Sequence, residues 1–118
     1  MKILLMEDNL MWSVRTKKGL EALGHKVTVS TKPEAGSHDL AIVNLGARSF
    51  DPIAAVKSLK ADELRVIGHV GHKEQDKWNE GEEAGCDQVV SNGSLANRLA
   101  AVLAGLPVKC PSGTEDDE

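Results

Sequence analysis

Aromatic residues are almost absent. The chain has no tyrosine, one phenylalanine (Phe50) and two tryptophans (Trp12 and Trp78) in 118 residues. The core must therefore be aliphatic, and the few rings become informative by where they fall. Cysteine is equally sparse: Cys86 and Cys110 match no metal or redox spacing and make no disulfide framework, so free, structural thiols are expected. No apolar run approaches the roughly 18 residues of a membrane span. The first residues run basic then apolar like a miniature signal peptide, but Glu7 and Asp8 interrupt them at once. A cytoplasmic location is expected. A basic stripe is missing too. The net charge is −4, and the tightest basic cluster, Arg15, Lys17 and Lys18, sits beside Glu21. Phosphate backbones reward a continuous basic face, so direct nucleic-acid binding is not expected. No Gly-rich loop leads into Lys-Ser/Thr, no internal repeat is visible, and no Ser/His/Asp or Cys/His set is suggested by position.

What is present fits one ordinary domain, with 41% apolar and 27% charged residues. Residues 2–6 form a continuous apolar run, the pattern of a strand buried on both faces. Asn9 is placed to cap a helix to about residue 23, with Gly24 as its stop, and Ser13, Thr16, Leu20 and Leu23 as its inner stripe. Strands follow at 26–29, 38–44, 65–70 and 88–90. Asp51-Pro52 reads as an N-cap and first helical residue, ahead of Ile53, Val56 and Leu59 at helical spacing. Residues 73–84 form a helix ending at Gly85, with Trp78 its only large apolar residue. Ser94 caps a last helix striped by Leu95, Leu99, Val102 and Leu106. Between the second and third strands only Thr31 to Ser37 intervene, too few for a full helix.

Strands alternating with helices imply a flavodoxin-like, doubly wound sheet of five parallel strands, its second helix missing or reduced to a turn. Such sheets bind ligands outside the carboxyl ends of their strands, where Glu7, Asp8, Asn44, Val70 and Asn92 converge. The expected domain is 1–106, followed by a flexible acidic tail over 107–118.

Four segments in order carry a resemblance: Lys2-Ile3-Leu4-Leu5-Met6-Glu7-Asp8-Asn9, Leu23-Gly24-His25-Lys26-Val27, Asp39-Leu40-Ala41-Ile42-Val43-Asn44-Leu45 and Ala84-Gly85-Cys86-Asp87-Gln88-Val89-Val90. Together they resemble the receiver domain of two-component response regulators. The resemblance implies that Glu7 and Asp8 stand where paired acids hold magnesium. It also implies that Asn44 replaces the phosphoacceptor aspartate, Val70 the Ser or Thr, and Asn92 the lysine. An acyl phosphate forms by attack of a carboxylate oxygen, which an amide lacks. Asp39 starts the strand that Asn44 ends, and Asp51 caps a helix, so neither replaces the lost carboxylate. The chain thus resembles a degenerate, pseudo-receiver branch. It is expected to be a non-enzymatic interaction module, independent of phosphorylation, acting in trans on signalling proteins or through self-association.

Other readings stay open. Glu7 and Asp8 are either a weak Mg²⁺ site, with no cofactor required, or a solvated acidic rim. With His69 or His72 they make the alternative: a metal-dependent enzyme or a metal or ligand sensor. A small-ligand domain of flavodoxin-like fold is a third possibility. His69 is otherwise expected to pack within the sheet, and His72 to be a loop residue, a cap or a pH-sensitive partner contact. Trp78 either anchors its helix or forms part of a contact patch.

Overall fold

The computed structural model describes residues 1–71 and 73–105. Five parallel strands, β1 (Lys2–Met6), β2 (Lys26–Ser30), β3 (Leu40–Asn44), β4 (Arg65–Val70) and β5 (Gln88–Ser91), make one sheet in the order β2-β1-β3-β4-β5. The order reverses at β1, so the crevice between β1 and β3 at their carboxyl ends is the switch point.

Strand alternation sorts the core into two layers. Leu4, Met6, Ala41, Val43, Val66 and Val70 face α2 (Pro52–Ala61) and α3 (Gln75–Ala84). Ile3, Leu5, Leu40, Ile42, Ile67 and Val90 face α1 (Leu10–Ala22), α4 (Asn92–Asn97) and α5 (Leu99–Leu103). Both layers are aliphatic, as the dearth of aromatics requires.

The helix starts follow the chemistry of their caps. Asn9 Oδ1 accepts from the Trp12 N–H at 3.1 Å. Asp51 Oδ1 accepts from the N–H groups of Ile53 and Ala54, and Pro52, which has no N–H to satisfy, opens the helix. The inner face of α1 is Ser13, Thr16 and Leu20, whereas Leu23 stays exposed beyond its end. At the end of α3, Gly85 takes a left-handed conformation with φ of 111°. Residues 31–39 contain no helix, so the β2–β3 crossover is a bare loop, as the short spacing indicated.

One expectation fails at the C-terminal end. The single helix capped by Ser94 is two short helices, α4 and α5, separated at Arg98 (φ −132°, ψ 39°), and the cap is Ser91, whose Oγ accepts from the Ser94 N–H at 3.0 Å. Leu95 and Val102 are buried as the stripe requires, with Leu103 beside them. Leu106, Cys110, the tail from 107 onward and His72 lie outside the described residues. Among those described, no helix is long and apolar enough to cross a membrane.

Candidate functional site

The site grows out of strand parity. Glu7 continues the alternation of Ile3 and Leu5, Asn44 that of Leu40 and Ile42, His69 that of Ile67, and Asn92 that of Val90. Register aligns Met6 with Val43, Asn44 with His69, and His69 with Val90. Four polar side chains from four neighbouring strand ends therefore line one side of the carboxyl rim, above the layer that α1, α4 and α5 cover.

They form a connected chain. Asn44 Nδ2 donates to Glu7 Oε2 at 2.6 Å, and the Asn9 backbone N–H donates to the same oxygen at 3.1 Å. Glu7 Oε1 and His69 Nε2 face each other at 3.2 Å, with Glu7 4% and His69 2% exposed. The contact is close but poorly aligned. Neither atom has a hydrogen-bond partner or meets solvent, so each is the other's nearest polar neighbour. On the far side of the ring, Nδ1 lies 2.6 Å from Asn92 Oδ1. An amide oxygen only accepts, so Nδ1 is the donor in this bond. Asn44 Oδ1 accepts from the Gly46 N–H at 2.8 Å, which fixes the amide orientation.

Burial alone would raise the Glu7 pKa. The contact and charge of His69 and the hydrogen bonds from Asn44 and Asn9 outweigh it and hold the carboxyl below its ordinary 4.5. Asp8 has a different task. It is exposed, and its Oδ2 accepts from the N–H groups of Ser49 and Arg48, each at 2.8 Å, which tie down the loop between β3 and α2. The same N–H groups, Ser49 first, lower its pKa.

The resemblance implies a magnesium ion at these acids, and the arrangement does not fit one. Mg²⁺ asks for a near-octahedral set of oxygens. Here Glu7 Oε2 takes two N–H donors, Oε1 faces an imidazole, Asp8 Oδ2 takes two more donors, and Asn44 presents nitrogen toward Glu7. Among the described residues, no group of three or more His, Cys, Asp and Glu could hold a metal ion.

Glu7, Asn44 and Asn92 thus meet as the sequence suggested, with Asp8 at their edge. Val70 does not. It is 1% exposed and packs in the opposite layer with Val66 and Val89, because it points to the other side of β4 from His69. His69, expected merely to pack within the sheet, is the residue that joins the two halves of the rim. No signal in the sequence alone picks it out, because β4 is buried on both faces and only its register with β3 pairs His69 with Asn44. Trp78 is half-buried on α3 and packs against the layer of Leu4 and Val66.

No family model matches the sequence, and no curated protein matches it. Solved structures do. A CheY-like receiver domain protein from Methanospirillum hungatei JF-1 superposes with a TM-score of 0.76 at 16% identity, covering 88% of this chain and 90% of that one. A two-component response regulator from Clostridium difficile gives 0.76 at 15% identity, over 88% and 93%. A response regulator protein from Burkholderia pseudomallei, with a phosphorylated aspartic acid, calcium ion and citrate, gives 0.74 at 16%, over 86% and 65%. The chain has the CheY-like receiver fold, a five-stranded parallel sheet with flanking helices.

Proposed function

We propose that this protein is a pseudo-receiver: a protein-interaction module in signal transduction that works without aspartyl phosphorylation and without a bound cation. The observation that carries the reading is the 2.6 Å hydrogen bond from Asn44 Nδ2 to Glu7. The position that would supply a nucleophile supplies a donor instead, and that donor is spent on the neighbouring acid. Asn92 brings no cation to the rim, and His69 occupies the volume beside it. An amide in place of a carboxylate gives no acyl phosphate, and the pocket is closed by its own side chains.

An interaction role draws support from the surface. Leu10 is 79% exposed, Met11 80% and Val14 45%, all on one side of α1 next to the rim. Large apolar side chains clustered in solvent mark a contact surface more often than single ones do. The partner on this reading is another signalling protein or a second copy of the chain, met in the cytoplasm.

The test is exposure to acetyl phosphate with Mg²⁺, followed by intact-mass measurement. An unchanged mass is expected. A phosphoryl adduct mapped to Glu7, Asp8 or a neighbouring rim residue would overturn the proposal.

A further inference from the structure

The crossover from β2 to β3 is the one connection between strands that carries no helix. Beside it lies a cleft of about 330 Å³ walled by Lys2, Lys26, Val27, Thr28, Ser37 and His38. A second cleft of about 420 Å³ shares Lys2, Lys26 and Ser37 and extends to Met1, Gly24 and Asp39. Both lie at the amino ends of the strands, the opposite end of the sheet from the Asn44 rim.

Strand parity decides what fills this face. Lys2 aligns with Lys26, Leu4 with Thr28 and Met6 with Ser30, so Lys26, Thr28 and Ser30 stand on the same side as Leu4 and Met6. Leu4 and Met6 are fully covered, while β2 presents an ammonium group and two hydroxyls. A protein segment taking the place of the missing helix would need an apolar strip on β2, and this side of β2 has none. The cleft suits a polar occupant.

The register also sets Lys2 and Lys26 side by side on neighbouring strands about 4.8 Å apart. Like charges placed directly across a sheet repel. Neither ammonium has an acidic partner among the described residues. Asp39 directs Oδ2 to the Lys2 backbone N–H at 2.8 Å, and it lines the second cleft, not the first. A lysine on an edge strand deters pairing between sheets, which explains Lys26. It does not explain Lys2, which starts an inner strand. Hydroxyls from Thr28 and Ser37 complete the wall, and His38 is pinned by a bond of 2.9 Å from Nδ1 to Ala35 O. Paired ammonium groups with hydroxyl donors around them match a phosphate dianion. The volume is at the small end of ligand pockets, enough for a phosphate and a compact organic group.

We propose that this cleft binds a small phosphate-bearing ligand, with the phosphate held between Lys2 and Lys26 and the hydroxyls of Thr28 and Ser37 beside it. The site is independent of the rim and stands whether or not the rim accepts a phosphoryl group.

The test is a proton–nitrogen NMR titration of the full chain with inorganic phosphate and, separately, adenosine monophosphate, both at constant ionic strength. Saturable shifts confined to residues 2, 26–28 and 37–38 are expected. Lys2→Ala and Lys26→Ala should each weaken binding about tenfold or more, and Lys2→Arg should keep it. Tighter binding of the nucleotide assigns a phosphate ester as the ligand, and equal binding assigns inorganic phosphate itself. Shifts that grow linearly and spread to Lys17, Lys18 and Lys57, or an affinity that survives both alanine variants, would overturn the assignment. All three substitutions lie at exposed positions, so unchanged thermal unfolding serves as the control for folding.

Discussion

Asn44 Nδ2 sits 2.6 Å from Glu7 Oε2, a donor facing an acceptor where the resemblance to receivers places two acids. The bond explains how a carboxylate only 4% exposed keeps its charge. Asn44 and Asn9 serve one oxygen, His69 faces the other, and Asn92 serves the ring. Such a chain is stable as a unit and intolerant of losing one member.

Asn44→Asp is the simplest challenge to it. The substitution exchanges a donor for a second carboxylate beside Glu7, so one of the two acids must have its pKa raised in the folded state. A raised folded pKa gives stability that is present at low pH and lost as pH rises. The variant should therefore be less stable than the parent by about 3 kcal/mol near neutrality, with the gap narrowing near pH 5. Urea unfolding at the two pH values measures this. An equal gap at both would mean that the new carboxylate turns away from Glu7.

His69→Ala leaves Glu7 Oε1 buried without its counterpart and Asn92 Oδ1 without its donor, at a cost of about 3–5 kcal/mol. The Glu7→Gln change removes the charge that His69 answers, so the double variant should lose less than the sum of the two singles. The acid limb provides a second readout. Because Glu7 is held below its ordinary 4.5, its contribution is complete above that value and disappears as pH falls through the lower folded value. Glu7→Gln should flatten the decline of stability below about pH 4.5, and an acid limb unchanged by the substitution would contradict this account.

At the end of α2 the chain makes a different compromise. Glu63 has φ of 61°, and the Leu64 N–H reaches back to Leu59 O at 3.1 Å. This is the left-handed exit that glycine serves best, and an L side chain there is strained by about 1 kcal/mol. Glu63→Gly should raise stability by about 0.5 kcal/mol or more, since the relief exceeds the extra freedom given to the unfolded chain. Calorimetry would show the gain as a higher midpoint, and a lower one would count against it.

Much of this architecture is legible in the sequence. The runs at 2–6 and 40–43 are apolar because both faces are covered, Asn9 and Asp51 cap where their chemistry dictates, and the bare β2–β3 crossover follows from chain length alone. The rim was legible only in part, and the reason is parity. A strand buried on both sides offers no alternation from which to tell its faces, so nothing in Val66-Ile67-Gly68-His69-Val70 says which residue looks at Asn44. Only the pairing of Asn44 with His69 decides it, and that sends Val70 to the other layer. The break at Arg98 was hidden for another reason: Leu95, Leu99 and Val102 keep helical spacing across it.

Leu45 tests whether space or propensity governs the opposite layer. It is 3% exposed and fits between two glycines. A Cβ on Gly68 would meet Leu45 Cδ1 at 2.7 Å, and one on Gly81, in the middle of α3, would meet it at 2.5 Å. By helix propensity alone, Gly81→Ala should stabilise α3 by about 1 kcal/mol. Crowding a filled core opposes this by about 1–3 kcal/mol, and contact this close with a side chain wedged from both sides puts the balance on the side of loss. Gly81→Ala should therefore destabilise by about 1 kcal/mol. Leu45→Ala alone should cost about 2–5 kcal/mol through the cavity it opens. In the double variant the new methyl occupies part of that cavity, so the combined loss should fall below the sum of the singles. Denaturant midpoints for the three variants decide the matter, and strict additivity would show that Leu45 and Gly81 do not share the space the structure gives them.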